Sequence, residues 1–419
     1  MSTRSSSFST SEYVILKTLQ DQLDQLQVLV IDEKSFIGCR LLQMIDARLQ
    51  QIKCDRRPFG GVSIILVGDF KQLAPVNDIA LFRCDNPTMT GFQTEGWNVY
   101  HQNFKHCVFL TENQRQSSDP DMKNVLETFV RGQFNEEQWD ILAMRDLRKL
   151  SDEEKDLFRS QAVKLCSIKR NFRIYNIQKV QELNQPTVLI QSVNLPDSAK
   201  KFDESDAGGL PRELILCKGM RVMLTANINI ACSLSNGSQG VVVGIIFAEN
   251  SAPEDFPEVL IQFDTYTGTS FLPGMTNVYP VSAIERGWKS GRIDYTRRML
   301  PLVPGYAFSI HKSQGQTLPR VIIDLGDREF AAGLTYTALT RVRRLDNLVF
   351  DPMPDLTRIK RVVQSAAFKR QIDDDAIKLA THETTVNNVD LLLPVAHGDS
   401  LWRFFFLSGF FLFANSDQI

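Results

Sequence analysis

The sequence lacks the cysteine and histidine patterns that mark metal centres and disulfide frameworks. Its seven cysteines are scattered, odd in number and never form a C-x-x-C pair, and its five histidines show no ligand spacing. This usage indicates a reducing compartment, because disulfides persist mainly in oxidising ones. It also argues against a structural zinc site built from these residues.

Long apolar runs and a secretory signal are missing as well. No segment reaches the roughly 20 apolar residues that span a bilayer. The closest is the Phe-rich run 401–414, which is short and is interrupted by Arg403. We expect this run to lie outside the folded protein, with a buried helix or a membrane-surface segment as the alternatives. Residues 1–13 are expected to be disordered, and a transit peptide has little support there.

The chain also lacks an excess of charge of either sign. Its formal net charge is −2 over 419 residues, so the whole chain is not a basic coat for nucleic acid. Any nucleic-acid site must therefore be a local groove. Hydrophobic content of 43% and charged content of 23% are ordinary for a globular protein. The length suggests two or three domains.

Two short apolar runs end abruptly in polar and acidic residues. Val28–Ile31 is followed by Asp32 and Glu33, and the run 62–67 is followed by the segment 68–73, GDFKQL. Apolar residues between the runs recur at helical spacing, so the unit is predicted to be β-α-β. In open α/β sheets ligands bind beyond the carboxyl ends of the strands. Acidic residues also occur at strand ends simply because those ends are solvated. For each motif considered by itself, this reading remains an alternative to a nucleotide site.

The acidic clusters are of the kind that suits a Mg²⁺-nucleotide site. One carboxylate can hold the hydrated ion while its neighbour takes the proton of an attacking water.

Further along the chain, 106–110 and 162–166 are predicted strands, and 119–158 is predicted to be helical. Short strands separated by turn signals such as Asn236-Gly237 indicate a small β-barrel insertion over 219–300.

Five motifs resemble, in the same order, those of the PIF1-like DNA helicases, relatives of RecD in superfamily one, in the style of Helitron-type transposons. The resemblance covers roughly residues 14–352. Its motifs are VIDEKS at 30–35, GDFKQLAPV at 68–76, TENQRQ at 111–116, IHKSQGQTL at 310–318 and YTALTRVR at 336–343.

The resemblance implies an α/β fold of two RecA-like P-loop NTPase domains, the first incomplete, with the β-barrel inserted in the second. The implied domains are a partial first RecA-like domain (14–118), a helical bridge (119–158), a second RecA-like domain (159–218 and 301–352), the insertion (219–300) and a C-terminal helix and tail (353–419). It implies ATP-dependent DNA unwinding with 5′→3′ polarity, in repair, recombination, telomere or genome maintenance, or transposition. ATP and Mg²⁺ would be the cofactors. Single-stranded DNA and duplex junctions would be the partners of a monomer in the nucleus, or alternatively in mitochondria.

By the same resemblance, Asp32 helps to hold Mg²⁺, Glu33 orients or deprotonates the water and Gln72 senses the γ-phosphate. Arg115 and Arg341 approach that phosphate from opposite sides. Gln314 and Gly315 lie near the nucleotide, and His311, Lys312 and Ser313 face the DNA strand or the domain interface. Phe70 and Tyr336 are guesses for aromatic residues that stack on bases, with core packing as the alternative.

One departure from the family is severe. The phosphate-cradling loop G-x-x-x-x-G-K-[ST] is expected upstream of Asp32, yet these residues contain no Gly-Lys dipeptide, and no glycine precedes Asp32. We therefore expect this polypeptide to be a poor or inactive ATPase. The alternatives are a catalytically dead single-strand-binding protein and a transposon-derived helicase fragment. A milder departure is Thr337, where a valine is usual.

Overall fold

The N-terminal region of the computed structural model carries the predicted β-α-β unit. Residues 10–83, 88–110, 113–249, 255–386, 402–407 and 410–415 are described. The first elements are α1 (Thr10–Gln22), β1 (Val28–Ile31), α2 (Cys39–Lys53), β2 (Ser63–Leu66) and α3 (Gly91–Asn103). β1 and β2 are parallel neighbours, with Val28 opposite Ser63 and Ile31 opposite Leu66. This confirms the predicted strand pair, and it brings the loops that follow both strands to one edge of the sheet.

Three helices follow, and their ends match local sequence signals. They are α4 (Pro120–Val130), α5 (Glu136–Ala143) and α6 (Asp152–Gln161). The Asp119 side chain accepts a hydrogen bond from the Met122 amide with Pro120 at the first helical position. Ser151 and Glu154 form a capping box. These caps satisfy backbone groups that a helix cannot satisfy internally.

A region of antiparallel strands begins after β3 (Val163–Cys166) and α7 (Lys169–Glu182). Its strands are β4 (Val188–Gln191), β5 (Val193–Leu195), β6 (Glu213–Leu216), β7 (Arg221–Leu224), β8 (Gln239–Ile246), β9 (Glu258–Phe263), β10 (Val278–Val281), β11 (Ile284–Ser290), β12 (Ile293–Met299) and β13 (Leu302–Pro304). Among the described strands, one sheet runs in the order β10-β9-β8-β7-β13, a second in the order β11-β12-β5, and β4 pairs with β6. Because β5 pairs with β12, this region draws on strands that precede residue 219.

A second parallel sheet and two helices follow. They comprise β14 (Ala307–Ser309), α8 (Ile310–Ser313), β15 (Val321–Asp324), α9 (Leu334–Leu339), β16 (Leu348–Phe350), α10 (Leu356–Val363) and α11 (Ala366–Val386). The sheet order is β14-β3-β15-β16, with all pairs parallel. The molecule is therefore a mixed α/β protein whose two parallel sheets are separated along the chain by helices and antiparallel strands. In the part of the chain that the structure describes, no helix is both long and apolar enough to cross a membrane.

Two sequence expectations about strands are wrong. Residues 106–110 lie outside every strand that the structure describes, and the Val108 and Leu110 side chains are 66% and 90% exposed. The Phe-rich run, expected outside the fold, forms β17 (Trp402–Leu407) and β18 (Phe410–Asn415), and β18 pairs antiparallel with β1. An apolar run predicts a strand but does not identify its partner, because pairing depends on which sheet edge is open.

Buried apolar side chains form three large clusters, one for each region. The first packs α2 and α3 against the β1–β2 sheet, and another fills the antiparallel region. The largest joins α4 and α5 to the second parallel sheet, and it also includes Leu73 from the loop after β2. The first parallel region is thus anchored in the core of the second through this loop.

The contact between α2 and α3 offers a stability test in two glycines of one helix. A Cβ atom on Gly96 would collide with the Cys39 carbonyl, whereas one on Gly91 would meet nothing within 4 Å. We expect Gly96→Ala to lower the free energy of unfolding by about 1–3 kcal/mol, the usual cost of overpacking. Gly91→Ala should be neutral or slightly stabilising. Urea denaturation measures both, and equal effects would contradict this packing.

Candidate functional site

The predicted site residues of the two parallel sheets meet in a cleft. The Gln314 amide Nε2 donates to the Glu33 carboxylate (2.7 Å to Oε2) and to the Ser35 hydroxyl (2.9 Å). Gly315 lies beside the same carboxylate: a Cβ atom there would be 3.2 Å from Glu33 Oε1, and its φ is +77°. The structure therefore brings together Glu33, Gln314 and Gly315, which sequence reasoning assigned to two different domains.

The loop after β1 is held in a conformation that non-glycine residues seldom adopt. Glu33 has φ 56° and ψ 49°, in the left-handed region. Asp32 Oδ1 accepts a hydrogen bond from the Glu33 amide (2.7 Å), and the Lys34 amide donates to the Val67 carbonyl (2.8 Å). Such conformations persist where surrounding contacts hold them, often at functional sites. Asp32 is exposed, so its carboxylate is accessible to solvent.

The segment Gly68–Ala74, here called the sensor loop, is held by contacts to α9 and to the residues that directly precede α9. Asp69 accepts from the Lys71 amide (2.9 Å). Burial, followed by the nearby charge of Asp69, raises the pKa of Tyr336. The Leu73 amide donates to Thr337 Oγ1 (3.1 Å), so the residue that departs from the family pattern anchors the loop. A Cβ atom on Gly333 would collide with the Gln72 carbonyl, which leaves room only for glycine. Asp69 therefore orders its own loop.

Arg341 is the most constrained charge in the site. It is fully buried and donates to three carbonyls, those of Thr337 (2.8 Å), Ser313 (3.1 Å) and Gln316 (3.2 Å). Its Nη2 also lies 3.4 Å from Gln72 Oε1. These bonds fix the guanidinium at the boundary between the two sheets.

Two arginines converge at this point without a carboxylate partner. Burial, followed by the nearby charge of Arg115, lowers the pKa of Arg341 to about 10. Arg115 donates to the Thr340 carbonyl (3.0 Å). Neither forms an ion pair with a described acidic residue. Two adjacent guanidiniums without a carboxylate make a site that favours a polyanion.

The three residues predicted to face DNA lie on α8 but have different environments. Ser313 is fully buried, and its hydroxyl donates to the Ile310 carbonyl (2.7 Å), so its side chain supports the helix rather than a surface. The His311 ring stacks on Phe330 at 6.2 Å, and burial lowers the pKa of His311. Lys312 is exposed and borders a groove of about 1080 Å³ between α7 and strand β6. Only Lys312 offers an exposed charge.

For the two aromatic residues, core packing, the alternative to base stacking, is what the structure shows. Phe70 is buried in the first core cluster, and the Tyr336 ring stacks on Phe129 and packs against the largest cluster. Ser35, which accepts from Gln314, was not assigned a role, although it follows the acidic pair within the same motif. Thr111 and Glu112, at the start of the third motif, lie outside the described residues.

The residues present fit one end of a Mg²⁺-bound nucleoside triphosphate. Arg115 and Arg341 offer donors for a phosphate, and Gln314 Oε1, which is buried without a hydrogen-bond partner, could accept from a water. Asp32 is an oxygen ligand of the type Mg²⁺ uses, since this ion keeps several waters and takes one or two carboxylates. The sequence contributes no Gly-Lys loop for the remaining phosphates. The fit is therefore to the terminal phosphate.

The buried position of Arg341 makes a direct stability prediction. Arg341→Lys should lower the free energy of unfolding by about 1–3 kcal/mol, because a single ammonium group leaves buried carbonyls unsatisfied. Arg343→Lys, at an exposed position two residues away, should change it by less than about 0.5 kcal/mol. Thermal or urea unfolding measures both. A small effect at Arg341 would mean that its carbonyl partners are reached by water.

The chain is similar in sequence to known proteins. A family model described as PIF1-like helicase matches residues 5–136. The human ATP-dependent DNA helicase PIF1 is 31% identical over 335 residues, 78% of this chain and 47% of that protein. The Psychrobacter Pif1 helicase is 27% identical over 377 residues, 81% of this chain and 56% of that protein. This chain spans about half the length of the relatives it matches.

Solved structures agree on the fold. The Bacteroides Pif1 helicase in complex with ADP-AlF3 and single-stranded DNA has a TM-score of 0.62 at 22% identity, covering 90% of this chain and 80% of that chain. The Candida albicans Pif1 helicase has a TM-score of 0.60 at 21% identity, covering 83% and 80%. At these identities the likeness concerns the fold. Together with the sequence matches and the shared motifs, it leads to one conclusion: this chain belongs to the PIF1-like helicase family.

Proposed function

We propose that this chain is the motor of an ATP-dependent DNA helicase, built from two RecA-like domains with the antiparallel region as the insertion of the second. The observation that carries the proposal is the cleft in which Glu33 and Gln72 from one sheet contact Gln314 and Arg341 from the other. A phosphate bound there would change the contacts between the domains. Opening and closing of such a cleft couples nucleotide state to movement.

Each side chain has a role in this proposal. Asp32 would hold Mg²⁺, and the ion would neutralise developing phosphate charge when bound. Glu33 would orient the attacking water and take its proton. Its hydrogen bond to Gln314 makes the position of this base depend on the second domain. Arg115 and Arg341 would stabilise the charge on the transferred phosphate. Gln72, which belongs to the sensor loop, would shift the loop in response to that charge.

The partner would be single-stranded DNA at a duplex junction, with movement in the 5′→3′ direction. Support comes from relatives: Bacteroides Pif1 structures are described as bound to single-stranded DNA, and another Pif1 structure concerns unwinding at forked duplex DNA. Lys312, exposed at the edge of a groove, is the best candidate here for a phosphate contact. The setting would be genome maintenance, repair, recombination or transposition, by a monomer in the nucleus or alternatively in mitochondria.

A second candidate is single-strand binding without turnover, and the lack of a Gly-Lys loop in these residues favours it. In P-loop motors, backbone amides, a helix N-terminus and a lysine offset most of the triphosphate charge. Here Asp32 and Glu33 face the cleft with the two arginines as the main compensation. We propose that these 419 residues bind ATP weakly and hydrolyse it slowly. A transposon-derived fragment without either activity is the remaining alternative.

The hydrolysis test uses purified residues 1–419 with single-stranded DNA present. We expect ATP turnover at least two decades below that of a full-length relative, because losing even one such donor costs about 2.7–4 kcal/mol. Malachite-green phosphate release measures turnover, and Glu33→Gln is the control for activity from this site. Micromolar ATP affinity with turnover that Glu33→Gln abolishes would show that another segment supplies the phosphate site.

The DNA test measures binding of a fluorescent oligonucleotide as a function of salt. If the protein binds through phosphates, the logarithm of its binding constant should fall linearly with the logarithm of the salt concentration. Lys312→Ala should reduce the magnitude of that slope by about 0.7, the value for one single-strand phosphate contact. Lys289→Ala, an exposed lysine paired with Asp294 at 3.5 Å on the β11–β12 hairpin, should leave the slope unchanged. Salt-independent affinity, or none, would favour the fragment alternative.

A further inference from the structure

Helix α11 lies across both parallel regions. Early in the helix, Phe368 is 2% exposed and contacts Phe129 edge to face at 5.5 Å in the largest core cluster. Ile372 packs against the same cluster. One turn later the helix contacts residues of the first region. A single helix therefore rests on one core and reaches the other.

The contacts to the first region fall on the sensor loop and on α3. Gln371 is 1% exposed, and its Nε2 donates to the Phe70 carbonyl (2.7 Å). Asp375 forms an ion pair with Lys71, whose side chain is only 10% exposed. Further along, the Lys378 ammonium lies over the Tyr100 ring, 4.5 Å from its centroid. Two successive loop residues, Phe70 and Lys71, are thus bound by α11.

α9 and the residue before it hold the opposite side of the sensor loop. The Leu73 amide donates to Thr337, and the Gly333 backbone lies close against the Gln72 carbonyl. Two helices of the second region therefore enclose the four-residue stretch 70–73 of the first. Gln72 lies between the two sets of contacts, and its amide oxygen faces Arg341. Its position depends on both sides being in place.

We propose that Asp375 is a positioning residue: it holds Lys71 and thereby sets the sensor loop so that Gln72 faces Arg341. The consequence for hydrolysis rests on the proposed function, but the coupling of α11 to the loop does not. In this arrangement α11 and α9 are the two sides of a clamp. Opening the cleft requires the Lys71–Asp375 ion pair and the Gln371–Phe70 hydrogen bond to break together with the contacts of α9.

Asp375 is the right position to probe because its neighbour has a different environment. Asp374 is buried, and burial raises the pKa of its carboxyl, with Lys378, Lys34, His101 and Lys71 as the charges around it. A change at Asp374 would disturb the core beneath the helix. Asp375 is partly exposed and forms its ion pair with Lys71 of the loop, and Asp373 is exposed on the same turn, which makes it a matched control.

The experiment is amide hydrogen exchange on the full chain, followed residue by residue or by short peptides. Asp375→Asn should speed exchange of the Gln72 and Leu73 amides about tenfold, since a charge-assisted hydrogen bond of ordinary strength is lost. Asp373→Asn should leave both rates within about twofold. Asp375→Glu, which keeps the carboxylate, should keep most of the protection, and Lys71→Met should reproduce the loss.

Two results would overturn the assignment. Unchanged exchange at Gln72 and Leu73 in Asp375→Asn would mean that the ion pair does not position the loop. Equal acceleration of all protected amides would mean that Asp375 acts on overall stability instead. Neither result depends on ATP turnover, so a chain that proves inactive as a helicase would leave this inference standing. In a chain that does hydrolyse ATP, Asp375→Asn should lower kcat while KM for ATP changes little.

Discussion

The burial of Leu73 in the core of the second parallel region is the contact on which the cleft depends. Leu73 follows Gln72 directly, has no exposed surface, and donates its amide to Thr337. Separating the two regions would expose this side chain, at a cost of about 1.5–3 kcal/mol. The hydrophobic contact therefore holds together polar groups whose own attractions are modest in water.

Around that anchor, charge is arranged in an unusual way. Arg341 is fully buried and is satisfied by carbonyls rather than by carboxylates, with Arg115 beside it. A buried charge is costly unless its donors are satisfied, and carbonyl dipoles do so without cancelling the charge. The net positive field therefore remains available in the cleft. Glu33 and Asp32 supply the opposing charge, so nucleotide affinity depends on a balance that a phosphate-cradling loop would shift strongly.

Much of the fold could be predicted because its signals are local. β1 and β2 were identified correctly from short runs of apolar residues, and the stretch predicted to be helical from residue 119 begins with the capped helix α4. The predicted strand at 106–110 and the position of the Phe-rich run were not. Both are apolar stretches whose state depends on a partner strand elsewhere, and backbone pairing across a sheet edge has no signature within the stretch itself.

By itself, the sequence determined the family motifs, the α/β class and the identity of the side chains at the rim, because residue type and order carry that chemistry directly. Only the tertiary structure decided that Gln314 holds Glu33, that the Tyr336 ring stacks on Phe129, that Ser313 is buried, and that α11 reaches Lys71. Gln314 and Glu33 are 281 positions apart, and Asp375 and Lys71 are 304 positions apart. Separations of that size are settled by how cores pack, since no local pattern specifies which distant surface a side chain will meet.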